Sequence, residues 1–324
     1  MVHSTLKYGI YMTFDDFSKL TDTKHARVIK SIIGISRLKF DILANAFAET
    51  HSAIQHERCT SKKIKRVQSG GSKGNLDSPE KKLFFTLFYL KTYPTFDVLG
   101  FHFGFSSGHA HNHLKNLLPV LLQSLLSLGV LPVRTVGCPE EFTQLIEKYE
   151  DIAIDGLECA CVRPLDKELQ KARYSGKKKR HTLKALAVTS LQRKIICLFF
   201  FVSGSIHDYT LMKTIFDPKF GWFNKIRVWL DLGFLGAEND YGNKSNIKLP
   251  HKKSRKSKAN PEPKFTKSQE EHNLKHARTR VIVEHAIGGM KSFYCLTHRI
   301  RNHLDQIIEY LFWIPAGLWN LKIS

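Results

Sequence analysis

The chain is short of cysteine, of acidic residues and of long apolar runs, and each shortage excludes something. Six cysteines (Cys59, Cys138, Cys159, Cys161, Cys197 and Cys295) occur in 324 residues, and no two are spaced as CxxC. Neither a zinc ribbon nor a dithiol redox motif is indicated. They read as reduced, packed thiols of a reducing compartment, with Cys159 and Cys161 on one face of a strand. The longest apolar run, Ile195 to Val202, falls far short of the ~20 residues that span a bilayer. The apolar tail from Ile307 is broken by Glu309 and Pro315. The start of the chain, MVHSTLKYGIYM, has no signal-peptide layout, so secretion is not expected. Asp and Glu number 29 against 50 Lys and Arg, a net charge of +21. That imbalance calls for a polyanion, and with no membrane signal the polyanion is nucleic acid.

A hydrophobic content of 42% is enough for a packed core. Residues 1–60 read as a helical segment, a small bundle or dimerisation arm, with helices near Phe14–Leu20, His25–Ile35 and Lys39–Ile54. Residues 61–77 read as a basic linker. Lys62, Lys63, Lys65 and Arg66 precede Ser69-Gly70-Gly71-Ser72, an arm suited to neutralising phosphates. Residues 78–135 have a helix-turn-helix layout. Ser78 caps a helix with Pro79 in its first turn, and Thr92-Tyr93-Pro94 stops it. Thr95 caps a short helix over Phe96–Phe103, Gly104 turns, and Ser106 caps a third helix running towards Leu117. Pro119 to Val130 extends a Leu-rich helix. His109, Asn112, His113 and Lys115 on the third helix could read base edges or phosphates. His109 and His113 are one turn apart, but nothing nearby supplies further metal ligands.

From residue 140 onward, after a short helix, the pattern turns to strands. Ile152-Ala153-Ile154-Asp155-Gly156 and Ile226-Arg227-Val228-Trp229-Leu230-Asp231 are apolar runs that each end in an acid. Thr182–Thr189 and Lys194–Val202 read as two further strands, followed by a helix over Asp208–Ile215. A long helix is expected from Thr266 to Phe293 and an amphipathic one over Leu304–Leu321. The order suggests a mixed sheet with helices on both faces. On the long helix, Ala277, Arg280, Glu284, Gly288 and Lys291 form one stripe, with Val281, Ile282 and Ile287 facing elsewhere to pack. An ionised carboxylate closing a buried strand needs a partner or a cation. Asp155, Asp231 and Glu284 together would make a hard-oxygen site for one or two Mg²⁺ ions. Basic runs flank these acids: Lys171, Arg173, Lys177, Lys178, Lys179, Arg180 and Lys184 on one side, and seven more bases between Lys244 and Lys258 on the other. Cations around an acidic centre fit a site that receives a phosphate backbone.

Taken together, Ile154-Asp155-Gly156, Tyr174 to Thr182, Gly204-Ser205-Ile206-His207-Asp208-Tyr209, Leu230 to Gly236 and Arg280 to Lys291 resemble the DDE-type transposases of the insertion-sequence and Harbinger-like kind. The resemblance runs from about Ser78 to Asn302. It includes the family pattern Tyr-x2-Arg-x3-Glu-x6-Lys, with Ala277 in the Tyr place. It implies an α/β fold: a ribonuclease-H-like mixed sheet with flanking helices over 140–324, preceded by the all-α helix-turn-helix domain. It implies Asp155, Asp231 and Glu284 as catalytic metal ligands for two Mg²⁺ (or Mn²⁺) ions. Arg280 and Lys291 would hold DNA near the cleaved phosphate, with His207 and Asp208 in support. The implied protein binds the terminal inverted repeats of its element and cleaves and joins double-stranded DNA as a homo-oligomer. It would work in the bacterial cytoplasm, or in the nucleus of a eukaryote. A catalytically inactive, domesticated DNA-binding descendant is the alternative, and a ribonuclease acting on hybrids is a third reading that the helix-turn-helix disfavours.

Overall fold

Hydroxyl caps set the helices of the first half in a computed structural model that describes residues 13–61, 74–242, 246–255 and 261–324. Thr13 caps α1 (Phe14–Ser18) in a capping box with Asp16, and α2 (Asp22–Ile33) ends on left-handed Gly34. Ser36 caps α3 (Arg37–Thr60), six residues longer than the periodicity indicated at its C-terminal end. Ser78, Thr95 and Ser106 then cap α4 (Pro79–Thr92), α5 (Phe96–Phe103) and α6 (Ser107–Ser127), each accepting a backbone N–H through its hydroxyl. α5 ends on Gly104 at φ 72°, so the helix-turn-helix is formed as expected. Pro119 does not divide α6. Leu114, Leu118, Leu121 and Leu125 form a buried stripe on both sides of it, and their packing outweighs the one hydrogen bond a proline removes. The basic cluster Lys62 to Arg66 and Ser69–Ser72 lie outside the described residues.

After α7 (Pro139–Ile146) come β1 (Asp151–Ala160), α8 (Lys167–Arg173), β2 (Tyr174–Ser175), β3 (Arg180–Ser190), β4 (Ile195–Leu198) and β5 (Val202–Ser203). Then follow α9 (Asp208–Ile215), β6 (Arg227–Trp229), a 3₁₀ turn at Leu232–Phe234, α10 (Ala237–Asp240) and β7 (Ile247–Lys248). The chain closes with α11 (Lys267–Lys291), α12 (Tyr294–Thr297) and α13 (Asp305–Ile323). The sheet order is β2-β3-β1-β6-β7, with β4 and β5 also along β3. β3 runs antiparallel to β1, placing Ala187 opposite Asp155. β6 runs parallel to β1, and β7 parallel to β6; the return passes through α9, as a parallel pair requires. This is the mixed, ribonuclease-H-like sheet the resemblance implied. The run Lys194–Val202 is two strands rather than one, because after Phe199, whose N–H still donates to the Leu186 carbonyl, the chain leaves the ladder at Phe200–Phe201. Phe200 there packs edge-on against Trp313, and Phe201 stacks on Phe312.

Alternation along β1 divides the core. Ala153, Leu157 and Cys159 face a cluster that also contains α11, α12, α13 and the first-half helices. Ile152 and Ile154 face a second cluster with α7 and α9. α1–α3 belong to the first cluster, where Phe17 lies against Phe84 with ring centroids 4.8 Å apart. α13 is not amphipathic. Every residue from Leu311 to Leu321 is buried, as befits a helix wedged between the sheet and α6. α11 closes onto it at Gly289, where a Cβ would meet the Trp319 ring at 2.2 Å. Val281 is 43% exposed instead of packed; Val283, Ala286, Ile287 and Met290 make the buried face of α11. No helix among the described residues is long and apolar enough to cross a membrane.

Candidate functional site

Asp155 sits inside β1, on the face turned towards α11, with its Oδ1 accepting the Gly156 N–H at 2.8 Å. Asp231 follows β6. The parallel register pairs Ala153 with Trp229, so each acid lies two residues past a paired position on adjacent strands. Asp231 Oδ1 caps the 3₁₀ turn by accepting the Gly233 N–H at 2.7 Å. Glu284 comes from α11, which is fastened to the sheet on either side of it. Upstream, buried His276 donates its Nε2 proton to the carbonyls of Leu230, 2.8 Å away, and Lys248, 3.2 Å away. Both partners are acceptors, which fixes the tautomer. Downstream, Lys291 Nζ donates to the Glu158 carbonyl at 2.9 Å. The helix is thereby held with Arg280 and Glu284 over Asp155 and Asp231.

The three acids meet around the Arg280 guanidinium. Nη2 lies 3.5 Å from Asp155 Oδ2 and 3.3 Å from Glu284 Oε1, and Nη1 lies 3.7 Å from Asp231 Oδ2. Burial pushes the Asp155 carboxyl up to about 6, against the pull of Arg280 and with a further upward push from the charge of Asp231. Three carboxylates facing one guanidinium leave two negative charges uncompensated. As donors they are hard oxygens suited to Mg²⁺ or Mn²⁺, so the residues fit a divalent cation. Among the described residues, however, no three His, Cys, Asp or Glu side chains form a ready metal cage. In place of a shared cation, the Arg280 guanidinium stands between the three carboxylates.

Asp208 lies behind the first strand. A Cβ at Gly156 would be 2.8 Å from Asp208 Oδ1, so glycine lets this fourth carboxylate approach, and its charge also raises the Asp155 pKa. Lys184 Nζ holds it at 3.0 Å and donates to the Ile206 carbonyl at 2.7 Å. Lys184 is buried and so leaves the basic surface to which its sequence neighbours were assigned. His207 caps α9, its Nδ1 accepting the Tyr209 N–H at 3.3 Å. Lys177, Lys178, Lys179 and Arg180 are exposed at the tip of the β2–β3 hairpin. Arg180 is seven residues along β3 from Ala187, the partner of Asp155, or roughly 23 Å. On α6, His109, Asn112 and Lys115 are exposed, whereas the half-buried His113 ring packs against Phe105, centroids 4.9 Å apart. The sequence pattern does not single out His276, although it is in step with Arg280 and Glu284, at offsets of four and eight. Of the basic stretch between Lys244 and Lys258, residues 244, 245 and 256–258 lie outside the described residues.

The family described as DDE superfamily endonuclease matches residues 154–320. The family described as helix-turn-helix of DDE superfamily endonuclease matches residues 74–127. Over 303 residues the chain is 27% identical to a protein of Microchaete diplosiphon described as a probable transposase for insertion sequence element IS702, covering 92% of this chain and 95% of that protein. No solved structure matches.

Proposed function

We propose an activity from one premise: the chain belongs to the DDE superfamily endonucleases and carries their helix-turn-helix. The reading is a DNA transposase that binds the inverted ends of its own element, nicks them by water attack, and joins the freed 3′-hydroxyl to target DNA. The insertion-sequence relative supports this, and the action would take place in the cytoplasm of a bacterial host. One observation carries the reading. Acids from β1, the end of β6 and α11 gather on a single guanidinium.

Asp155, Asp231 and Glu284 would hold the divalent ions. When bound, these ions supply charge that activates the attacking hydroxyl and stabilises the leaving oxygen. Arg280, released from the carboxylates when they hold the ions, would donate two hydrogen bonds to the oxygens of the scissile phosphate. His276 keeps Asp231 in register by fixing the carbonyl of the residue before it. Lys291 spends its ammonium on β1 and acts as a strut for α11 rather than as a free phosphate ligand. The hairpin Lys177–Arg180 is too far along β3 to touch the cut, and would grip the backbone about seven base pairs away at ~3.4 Å each. Joining two ends at one target calls for a homo-oligomer on DNA.

The test uses a labelled duplex carrying the inverted repeats that flank the coding region, incubated with purified protein and Mg²⁺ or a chelator. A nicked strand with a free 3′-hydroxyl, then a joined product, only with Mg²⁺, is the expected result. Tight binding with no cut strand under either condition would instead favour an inactive DNA-binding descendant.

A further inference from the structure

An open cleft of about 580 Å³ lies between the C-terminal part of α3 and the exposed edge of α6. Arg58, His51 and His56 line it from α3, Lys82 from α4, and His113 and Asn116 from α6. Among the described residues no carboxylate lines it: Glu49 and Glu57 of α3 are absent from its walls. The nearest acid felt by Lys82 is Asp77, which is held by Lys81 at 2.9 Å. Neither Lys82 nor Arg58 makes an ion pair with any described residue. The cations act on one another instead. Burial first, and then the charges of Lys82 and Arg58, push a proton off His51; burial, then His109 and Lys82, do the same to His113 across the cleft. Lys82 is half-buried, and that burial disfavours its own charge. Such a cluster stores unfavourable electrostatic energy that an anion would relieve.

We propose that this cleft is a second DNA-backbone site, taking phosphates that flank the groove read by α6, and that α3 is therefore part of the DNA-binding unit. The inference rests on the reading that α6 contacts duplex DNA. Packed helix axes lie ~8–10 Å apart. A helix in a major groove ~12 Å wide has the phosphates of each wall about half that width away. With His109, Asn112 and Lys115 of α6 turned to bases, one wall of the groove falls over the side where α3 carries Arg58. The cleft is open and its two cations come from two helices, Arg58 from α3 and Lys82 from α4, which suits a polymer backbone passing across it better than an enclosed small anion.

Binding to phosphates carries no sequence information, so a generic labelled 30-base-pair duplex suffices as probe, with the full chain and anisotropy measured across salt concentrations. The double substitution Arg58→Gln, Lys82→Gln should weaken binding about tenfold at low salt and flatten the log–log salt slope by ~2, one for each phosphate left without its cation. The free variant should melt at the same temperature as the parent or higher, because a repulsive cluster has been relieved. A residue that merely supports the fold would lower both affinity and melting temperature. Lys115→Gln serves as the separate probe of α6. If the double variant binds like the parent while Lys115→Gln binds weakly, the cleft proposal falls and the α6 reading stands. If neither substitution alters binding, the α6 reading falls and the cleft proposal with it. If pyrophosphate raises the melting temperature of the parent but not of the double variant, and duplex binding is unchanged, the cleft is a small-anion site and the DNA assignment is overturned.

Discussion

The Arg280 guanidinium lies 3.5 Å from Asp155 Oδ2, although 125 positions separate the two residues in the chain. The same nitrogen serves Glu284 at 3.3 Å. The three carboxylates are thus held together by the residue that, in the proposed reading, would bind phosphate. Arg280→Ala should leave three carboxylates facing one another. We expect the metal-free protein to lose about 1–2 kcal/mol, a modest figure because the cluster is partly solvated. Thermal melts in chelator and in Mg²⁺ check this: the deficit should shrink when Mg²⁺ is added. Equal melting of parent and variant in chelator would show that the guanidinium contributes nothing.

Asp155 yields a pH prediction. Its carboxyl is raised from 3.8 to about 6 by burial. Between those values the folded state holds a proton that the unfolded state has released. Stability therefore falls as pH rises through that window and stays at the lower level above it. Asp155→Asn removes the liability. In chelator it should stabilise the protein by about 1–3 kcal/mol at pH 7.5 and by little at pH 4. Chemical denaturation at both pH values is the measurement, and a pH-independent difference would contradict the account.

His276 has the opposite sign. Burial pushes its pKa below 6.5, so the unfolded state takes up protons first and stability drops as pH falls below 6.5. His276→Ala should cost about 1–3 kcal/mol at pH 7.5 by leaving the Leu230 carbonyl without its buried side-chain donor, whereas the Lys248 carbonyl keeps the Leu230 N–H. The gap between parent and variant should narrow towards pH 5. Cleavage should fall with it while DNA binding holds, because Asp231 adjoins one of those carbonyls.

The hairpin prediction concerns reach. Replacing Lys177, Lys178, Lys179 and Arg180 by alanine should flatten the salt dependence of duplex binding by up to ~0.9 for each phosphate no longer neutralised. It should leave nicking of a duplex with only a few flanking base pairs at the parental rate. Loss of nicking on that short substrate would place the hairpin at the cut.

Local signals carried much of this structure. The hydroxyl caps at Ser78, Thr95 and Ser106 announced three helices, and apolar runs ending in Asp155 and Asp231 marked strands whose parallel pairing brings the acids together. What local pattern missed depends on distant packing. Lys184 looks like a surface cation because its partner Asp208 is 24 positions on, and α13 looks amphipathic until α6 and the sheet close on both sides. The place of Arg280 among the acids follows from α11 being fastened by His276 and Lys291, which no spacing rule could state.

The most direct measurement compares Mg²⁺-dependent nicking and gel-shift binding of one labelled end duplex by the parent, Asp231→Ala and Glu284→Gln proteins. Cleavage should fall at least ~1000-fold in each variant, with binding kept within about twofold, because several kcal/mol of charge stabilisation at phosphorus would be lost. If Asp231→Ala cuts the duplex at the parental rate, these carboxylates do not hold the catalytic ions.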